Sequence, residues 1–71
     1  MTYYKLHGVI NRREIEVKKV FRNETDAIHH MFKLYHRAGY PAQVDRIREY
    51  NNTNEYICDD LNKFFIRKVT I

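Results

Sequence analysis

The sequence is poor in cysteine, proline and glycine, and each shortage excludes a class of protein. Its 71 residues include one cysteine, Cys58, one proline and two glycines. A lone cysteine cannot form an internal disulfide, whereas small secreted domains usually depend on several, so the composition favours a reducing compartment. Few glycines and prolines leave no stretch with the composition of a linker, and we expect one domain over residues 1–71.

Long apolar runs are absent as well. No segment reaches the roughly 18 apolar residues that a membrane-spanning helix needs. Residues 1–8 are polar and tyrosine-rich, unlike a signal peptide. We therefore expect a cytoplasmic protein with no membrane partner. The frequent Asn, Lys, Ile and Tyr residues are typical of an AT-rich genome, which suggests a bacterial or phage origin.

One amphipathic helix is the clearest element in the chain. Asn23 can cap its first turn, and Gly39 and Pro41 follow its end. At 100° per residue the apolar side chains of this segment share one arc of about 160°. They are Ala27, Ile28, Met31, Phe32, Leu34, Tyr35 and Ala38. The pattern predicts a helix near residues 24–38.

The rest of the chain reads as strands. Apolar alternation and β-branched residues predict strands near residues 3–10, 14–21, 42–50, 55–58 and 64–71. Turn-forming residues separate the first two strands, and Lys19 interrupts the alternation of the second, which indicates a bulge or an early strand end. The order β-β-α-β-β(-β) predicts a small α+β domain whose antiparallel sheet carries the helix on one face.

Residues 42–50 also allow a different assignment. Val44, Ile47 and Tyr50 are spaced by three, and Pro41 suits the first position of a helix. A short second helix therefore remains an alternative to the strand.

The residues that could carry chemistry do not form a recognisable site. His29, His30 and His36 fall on the polar side of the helix, and none of their spacings is the i, i+3 or i, i+4 of a metal-binding helix. Asp59 and Asp60 lack a phosphate-binding loop or a further acidic cluster. We expect no catalytic residue, no metal site and no cofactor. A small ribonuclease that uses His and Lys without a local motif remains an alternative.

Positive charge is concentrated at the start of the chain. Residues 1–22 hold six Lys and Arg against two Glu, whereas residues 23–50 balance four against four and residues 51–71 three against three. The hairpin around residues 11–13 could contact nucleic-acid phosphates, or its charges could protect an exposed edge strand. The candidate contacts to nucleic acid or an acidic partner are Arg12, Arg13, Lys18, Lys19 and Arg22. A secondary basic helix face consists of His29, His30, Lys33, His36 and Arg37.

The aromatic content favours a protein partner. Six Tyr and four Phe exceed what one thin core should hide, and Tyr and Arg are frequent at interface hot spots. Tyr3, Tyr40, Tyr50 and Tyr56 lie at predicted strand ends or beside turns, and we expect them to be exposed. The leading interpretation is a non-enzymatic binding module that regulates or inhibits a protein. Nucleic-acid binding by the basic hairpin is the alternative, and a homodimer could use the same surface.

Overall fold

Five strands and one helix make up most of the computed structural model, which describes residues 1–40 and 43–71. The elements are β1 Thr2–Ile10, β2 Arg13–Phe21, α1 Glu24–Arg37, β3 Arg46–Tyr50, β4 Thr53–Ile57 and β5 Lys63–Thr70. The predicted α+β class and element order are confirmed, including the final strand.

All strands pair antiparallel in one sheet of order β2-β1-β5-β4-β3. The last strand lies in the middle, where it joins the hairpin β1-β2 to the hairpin β3-β4. It pairs with β1 over nearly its whole length, from Thr2 opposite Thr70 to Val9 opposite Lys63. The two ends of the chain therefore lie side by side.

Both hairpins turn through two left-handed residues. Asn11 and Arg12 have φ of 55° and 69°, and Asn51 and Asn52 have φ of 46° and 58°. Two consecutive left-handed residues are the mark of a type I′ turn, whose twist matches that of the flanking strands. Asparagine tolerates this conformation, which explains three of the four positions.

The second hairpin differs from its predicted boundaries. β3 begins at Arg46, later than the predicted start at residue 42, which lies outside the described residues. β4 begins at Thr53 rather than at residue 55, because the turn uses two residues rather than four. The strand ends at Ile57. The strand assignment is confirmed over Arg46–Tyr50, and the helix alternative is wrong there.

The helix begins and ends as its sequence predicts. The backbone N–H of Asp26 donates to the side-chain oxygen of the N-cap residue Asn23 at 2.8 Å. Gly39 adopts φ 88° just past the C-terminal end, a conformation that glycine accepts without strain. The predicted stop at Pro41 lies outside the described residues.

The core lies between α1 and one face of the sheet. The helix contributes Ala27, Met31 and Tyr35. Alternate residues of the strands meet it from the sheet. They include Leu6, Ile10, Phe21, Tyr56, Phe64 and Ile66. One face of the sheet is thus covered by the helix, and the opposite face has no covering element among the described residues.

A bulge interrupts β2 where the alternation of its sequence fails. Lys5 pairs with Val20 and His7 pairs with Glu16, so residues 17–19 of β2 lie opposite Leu6 alone. Two extra residues keep the alternation of faces, so Glu16 and Val20 both lie on the same face of the sheet as Lys5 and His7. The predicted bulge is confirmed.

Candidate functional site

The face of the sheet away from α1, here called the uncovered face, carries a regular array of side chains. It is formed by the odd-numbered residues of β1 and β5 and by the residues paired with them, because side chains of a strand alternate between faces. Three cross-strand rows cross this face. They are Val20-Lys5-Arg67-Thr53-Tyr50, Glu16-His7-Phe65-Glu55-Arg48 and Glu14-Val9-Lys63-Ile57-Arg46.

Two cations lie directly opposite each other near the centre of the uncovered face. Lys5 pairs with Arg67 across β1 and β5, and both are exposed. Like charges at directly opposed positions repel each other. Within residues 1–40 and 43–71, the ion pairs closer than 4.0 Å both involve Glu55, so neither of these cations has a carboxylate partner. A bound anion would relieve the repulsion.

An open groove of about 330 Å³ runs beside this pair of cations. Its walls include Lys5, Lys18 and Arg67, and its aromatic side chains are His7 and Phe65. We call it the sheet-face groove, defined by these five residues. Lys18 shares this face with Glu16 and Val20 of β2, and it lines the groove, whereas Lys19 does not.

Two aromatic rings meet at the base of the sheet-face groove. The ring centroids of His7 and Phe65 are 5.7 Å apart, with an angle of 58° between the ring planes. Both residues are half-buried, so each is held by its neighbours while part of its surface faces solvent. The ammonium of Lys63 lies 5.8 Å from the Phe65 centroid. The arrangement offers cations and aromatic surface together.

The carboxylates of the uncovered face are distributed unevenly. Glu55 is only 6% exposed, and its carboxylate lies 3.7 Å from the Arg48 guanidinium and 3.9 Å from the Lys63 ammonium. A buried carboxylate needs such partners. The other two acids, Glu14 and Glu16, lie on the edge strand β2, and Glu16 lines the sheet-face groove opposite His7. Three cations of the groove, Lys5, Lys18 and Arg67, therefore face one carboxylate.

The five basic residues predicted as contacts do not form one continuous surface. Arg12 lies at the tip of the first hairpin, and Arg13 lines a hollow with residues near the end of α1. Lys18 belongs to the sheet-face groove, roughly 16 Å along the strand from Arg13 at 3.3 Å per residue. Lys19 and Arg22 line a different groove, between β2 and α1.

The four tyrosines predicted to be exposed are separated by the fold. Tyr3 is half-buried on the uncovered face, and Tyr50 is 41% exposed at its edge. Tyr40 packs against Tyr35 with ring centroids 5.2 Å apart. The prediction for Tyr56 is wrong: it is 5% exposed, and its hydroxyl donates to Glu24 Oε1 at 3.1 Å. Tyr56 pairs with Phe64, and even-numbered side chains of β4 and β5 point toward the helix.

Most side chains of the basic helix face are exposed to solvent, as the helical periodicity predicts. His29, Lys33, His36 and Arg37 are exposed. The expectation that every imidazole points to solvent is wrong for His30, which is half-buried with its ring 5.3 Å from that of Phe21. Burial lowers the His30 pKa, and nearby positive charges lower it further. Those charges are Lys19, Lys33 and Arg37.

The carboxylate of Asp59 holds the loop that follows Cys58. Asp59 Oδ1 accepts backbone hydrogen bonds from Leu61 at 2.7 Å and from Asn62 at 2.9 Å. The hydrogen bond from the Asn62 side chain and these backbone bonds lower the Asp59 pKa, whereas burial raises the pKa of the Cys58 thiol. Nowhere in the described part of the chain do three His, Cys, Asp or Glu side chains come together to hold a metal ion.

Sequence reasoning missed most of the sheet-face groove. It did not select Lys5, His7, Phe65 or Arg67. The alternation within residues 3–9 and 63–69 was visible, but the pairing of Lys5 with Arg67 requires β1 and β5 to be neighbours. These strands are far apart in sequence, and no local pattern reports that they pair.

Comparison with known proteins provides no relative from which to transfer a function. A scan against protein-family models and searches of the curated proteins and of the solved structures found no match. In the described residues, α1 is too short and too polar to cross a membrane. Any functional assignment therefore rests on the charge and the aromatic content of the protein's own surface.

Proposed function

We propose that the uncovered face binds single-stranded nucleic acid. The observation that carries this proposal is the pair of cations Lys5 and Arg67, which lie opposite each other without carboxylate partners beside the rings of His7 and Phe65. Single-strand binding proteins combine positive charge that follows the phosphates with aromatic rings on which bases stack. The sheet-face groove contains both components.

Each component has a separate role in the proposal. The cations Lys5, Lys18 and Arg67 contact phosphates, which supplies affinity that falls with added salt. Phe65 and His7 stack on unpaired bases, which is insensitive to sequence because every base has an aromatic face. An open sheet presents such rings to splayed bases, as sheet-based RNA-binding modules do.

The fold makes duplex binding by the first hairpin less suitable. A two-stranded ribbon must project from the protein to enter a major groove. Here β1 is an inner strand that pairs with β5 from Thr2 to Val9, so only the turn around Asn11 and Arg12 extends past the sheet. The uncovered face is therefore a better candidate than the hairpin tip for contact with nucleic acid.

The test is a fluorescence anisotropy titration with labelled oligo-dT and oligo-U of about 12 nucleotides. The double variant Lys5→Gln/Arg67→Gln should bind more weakly between about 50 and 200 mM salt, and its salt slope should fall by about 1.4, or about 0.7 for each lost phosphate contact. The matched control is Arg12→Gln/Arg13→Gln, which removes the same charge at the hairpin tip. Equal losses in the two variants would indicate a general charge effect and contradict the assigned site.

Stacking is tested separately from charge. Phe65→Leu keeps an apolar side chain in the sheet and removes the ring, and it should weaken binding by about 1 kcal/mol or more if a base stacks there. The salt slope should stay unchanged, because no cation is lost. A variant that binds as tightly as the parent protein would remove Phe65 from the site.

A protein partner remains a second candidate, and the edge strand β3 favours it. All five residues of β3 are exposed, and Ile47 is 59% exposed on the side of the sheet that faces the helix. An edge strand offers unpaired backbone groups to which a partner can add a strand. Such a partner would be regulated or inhibited by the docking of this protein, and β3 of a second copy could dock in the same way.

The two candidates give different results in affinity capture from a lysate of the source organism. A protein bound at β3 should be retained after nuclease treatment and lost with Ile47→Asp, which changes an exposed side chain and spares the core. Proteins bridged by nucleic acid should disappear with nuclease. Sedimentation of the purified protein at twice its 8.7 kDa mass would instead indicate a homodimer.

A further inference from the structure

A second positively charged groove lies on the other side of β2, between the end of that strand and the first half of α1. Its volume is about 560 Å³, and five of its side chains are basic. They are Lys19, Arg22, His29, His30 and Lys33. We call it the helix groove. Strand β2 separates it from the sheet-face groove, since Lys18 lines one groove and Lys19 the other.

The cations of the helix groove are not neutralised by the protein. In residues 1–40 and 43–71, no carboxylate lies within 4.0 Å of the charged groups of Lys19, Arg22 or Lys33. The one carboxylate that lines the groove belongs to Asp26, and its Oδ2 accepts a hydrogen bond from the amide of the N-cap residue Asn23 at 3.2 Å. Three permanent cations therefore face one carboxylate.

A buried ring fixes two of the basic groups in place. Phe21 is 4% exposed, and its centroid lies 5.5 Å from the ammonium of Lys19 and 5.3 Å from the His30 ring. The Lys19 contact is favourable for a cation beside an aromatic ring, and the His30 contact is a tilted pair of rings. Part of the ordering that a ligand would otherwise impose on these side chains is thus already present.

We propose that the helix groove is a phosphate-binding site in which Lys19, Arg22 and Lys33 contact the phosphate oxygens and His30 donates a hydrogen bond. The phosphate group is the shared chemistry of two sources, a free phosphate or nucleotide and the terminal phosphate of a nucleic-acid strand. This proposal is independent of single-strand binding on the uncovered face, because it uses none of the residues of the sheet-face groove.

The environment of His30 links phosphate binding to pH. Lys19 approaches from β2, Arg22 from the loop that follows, and His29, Lys33 and Arg37 from α1, with Asp26 as the one acid in the groove. Burial and the positive neighbours lower the His30 pKa in the free protein. A bound phosphate supplies negative charge and should raise that pKa toward its ordinary value. The contribution of His30 to phosphate affinity should therefore increase as the pH falls below about 6.5.

The experiment follows the histidine ring resonances by NMR while inorganic phosphate is added at constant ionic strength, balanced with chloride. We expect a saturable shift of the His30 resonance and a higher His30 pKa in the bound state. Arg22→Gln and Lys33→Gln each remove one charged contact from an exposed position, and each should weaken phosphate binding roughly tenfold. Arg12→Gln makes the same change at the distant hairpin tip and should leave phosphate affinity unchanged.

A second arm separates the two sources. A thymidine dinucleotide with a 5′-phosphate that binds more tightly than inorganic phosphate, when the unphosphorylated dinucleotide does not bind the groove, assigns the site to strand ends. Equal affinities for inorganic phosphate and the phosphorylated dinucleotide assign it to free phosphate. Lys5→Gln/Arg67→Gln should retain phosphate binding whatever its effect on oligonucleotides. The proposal is overturned if the His30 resonance shows no saturable shift up to about 10 mM phosphate, or if Arg22→Gln and Lys33→Gln bind phosphate as the parent protein does.

Discussion

Gly8 occupies a point in β1 where the sheet leaves no room for a side chain. A Cβ atom there would lie 2.7 Å and 2.8 Å from two ring carbons of Phe64, and that ring is fully buried in the core. The contact is too short for any ordinary packing, so the ring or the strand would have to move. The glycine thus allows a large aromatic side chain to lie flat across the neighbouring strand.

Gly8→Ala should therefore lower the free energy of unfolding by about 1–3 kcal/mol, the usual cost of overpacking a core. Urea denaturation of the variant and the parent protein measures the difference. In a Phe64→Leu background the ring is gone, and the added methyl should cost clearly less. An equal cost in both backgrounds would show that the contact with Phe64 is not the cause.

Arg12 is the least favourable residue in the two turns. Its φ of 69° is left-handed, a conformation that costs a side chain with a Cβ roughly 1 kcal/mol or more. Asn52, at the equivalent position of the second turn, has φ 58° and belongs to a residue type that accepts this conformation. Only the first turn carries backbone strain of this kind.

Arg12→Gly should raise the free energy of unfolding by about 0.5–1 kcal/mol, because the relief of strain exceeds the extra entropy of glycine in the unfolded chain. Asn52→Gly should gain less. Thermal and urea unfolding of the two variants against the parent protein give the comparison. A larger gain at Asn52 would contradict this account of the turns.

The helix and strands are predicted well from the sequence where capping residues and hydrophobic periodicity are clear. Asn23, the apolar arc and Gly39 predicted α1 to within one residue of its observed end at Arg37. The break in alternation at Lys19 predicted the bulge. The start of β3 was misplaced, because Val44 is half-buried like a strand residue although it lies outside any strand. From the sequence alone, a half-buried apolar residue in a connecting segment cannot be distinguished from one in a strand.

Docking of α1 depends on a few fully buried side chains. Met31 has no exposed surface and packs between the helix and the sheet. Met31→Asp would bury a carboxylate without a partner, and we expect it to unfold the domain, because the cost is comparable to the whole stability of a chain this small. Circular dichroism and urea denaturation would detect this. Thr25→Asp, an exposed change in the first helical turn, is the control and should remain folded.

The molecule as a whole is organised by a pairing that no local pattern reports. β5 inserts between β1 and β4 and thereby brings Lys5 beside Arg67 and His7 beside Phe65. Sequence reasoning identified excess charge in residues 1–22 and correctly expected a sheet face without a helix on it. It selected residues by their proximity in sequence, such as Arg12 and Arg13, and so missed the groove that the sheet assembles from distant segments.

The domain has two basic grooves, the sheet-face groove and the helix groove, and they adjoin each other along β2. Alternation along β2 places Lys18 on the uncovered face and Lys19 on the helix side, and Val20 borders both grooves. Along β2, Glu16 lines the sheet-face groove, and Glu14 lies between this groove and the hairpin tip. The basic side chains of the two grooves therefore lie on opposite sides of the sheet near Val20.

The most direct test of single-strand binding on the uncovered face is an NMR titration of isotope-labelled protein with unlabelled oligo-dT, which reports every backbone amide. We predict that the largest shifts occur at residues 5–7 and 65–67, with saturation below about 1 mM oligonucleotide. Smaller shifts at residues 18–20 would follow from contact with Lys18. Shifts confined to the tip at residues 11–13 or to β3, or no saturable shift, would contradict the proposed function.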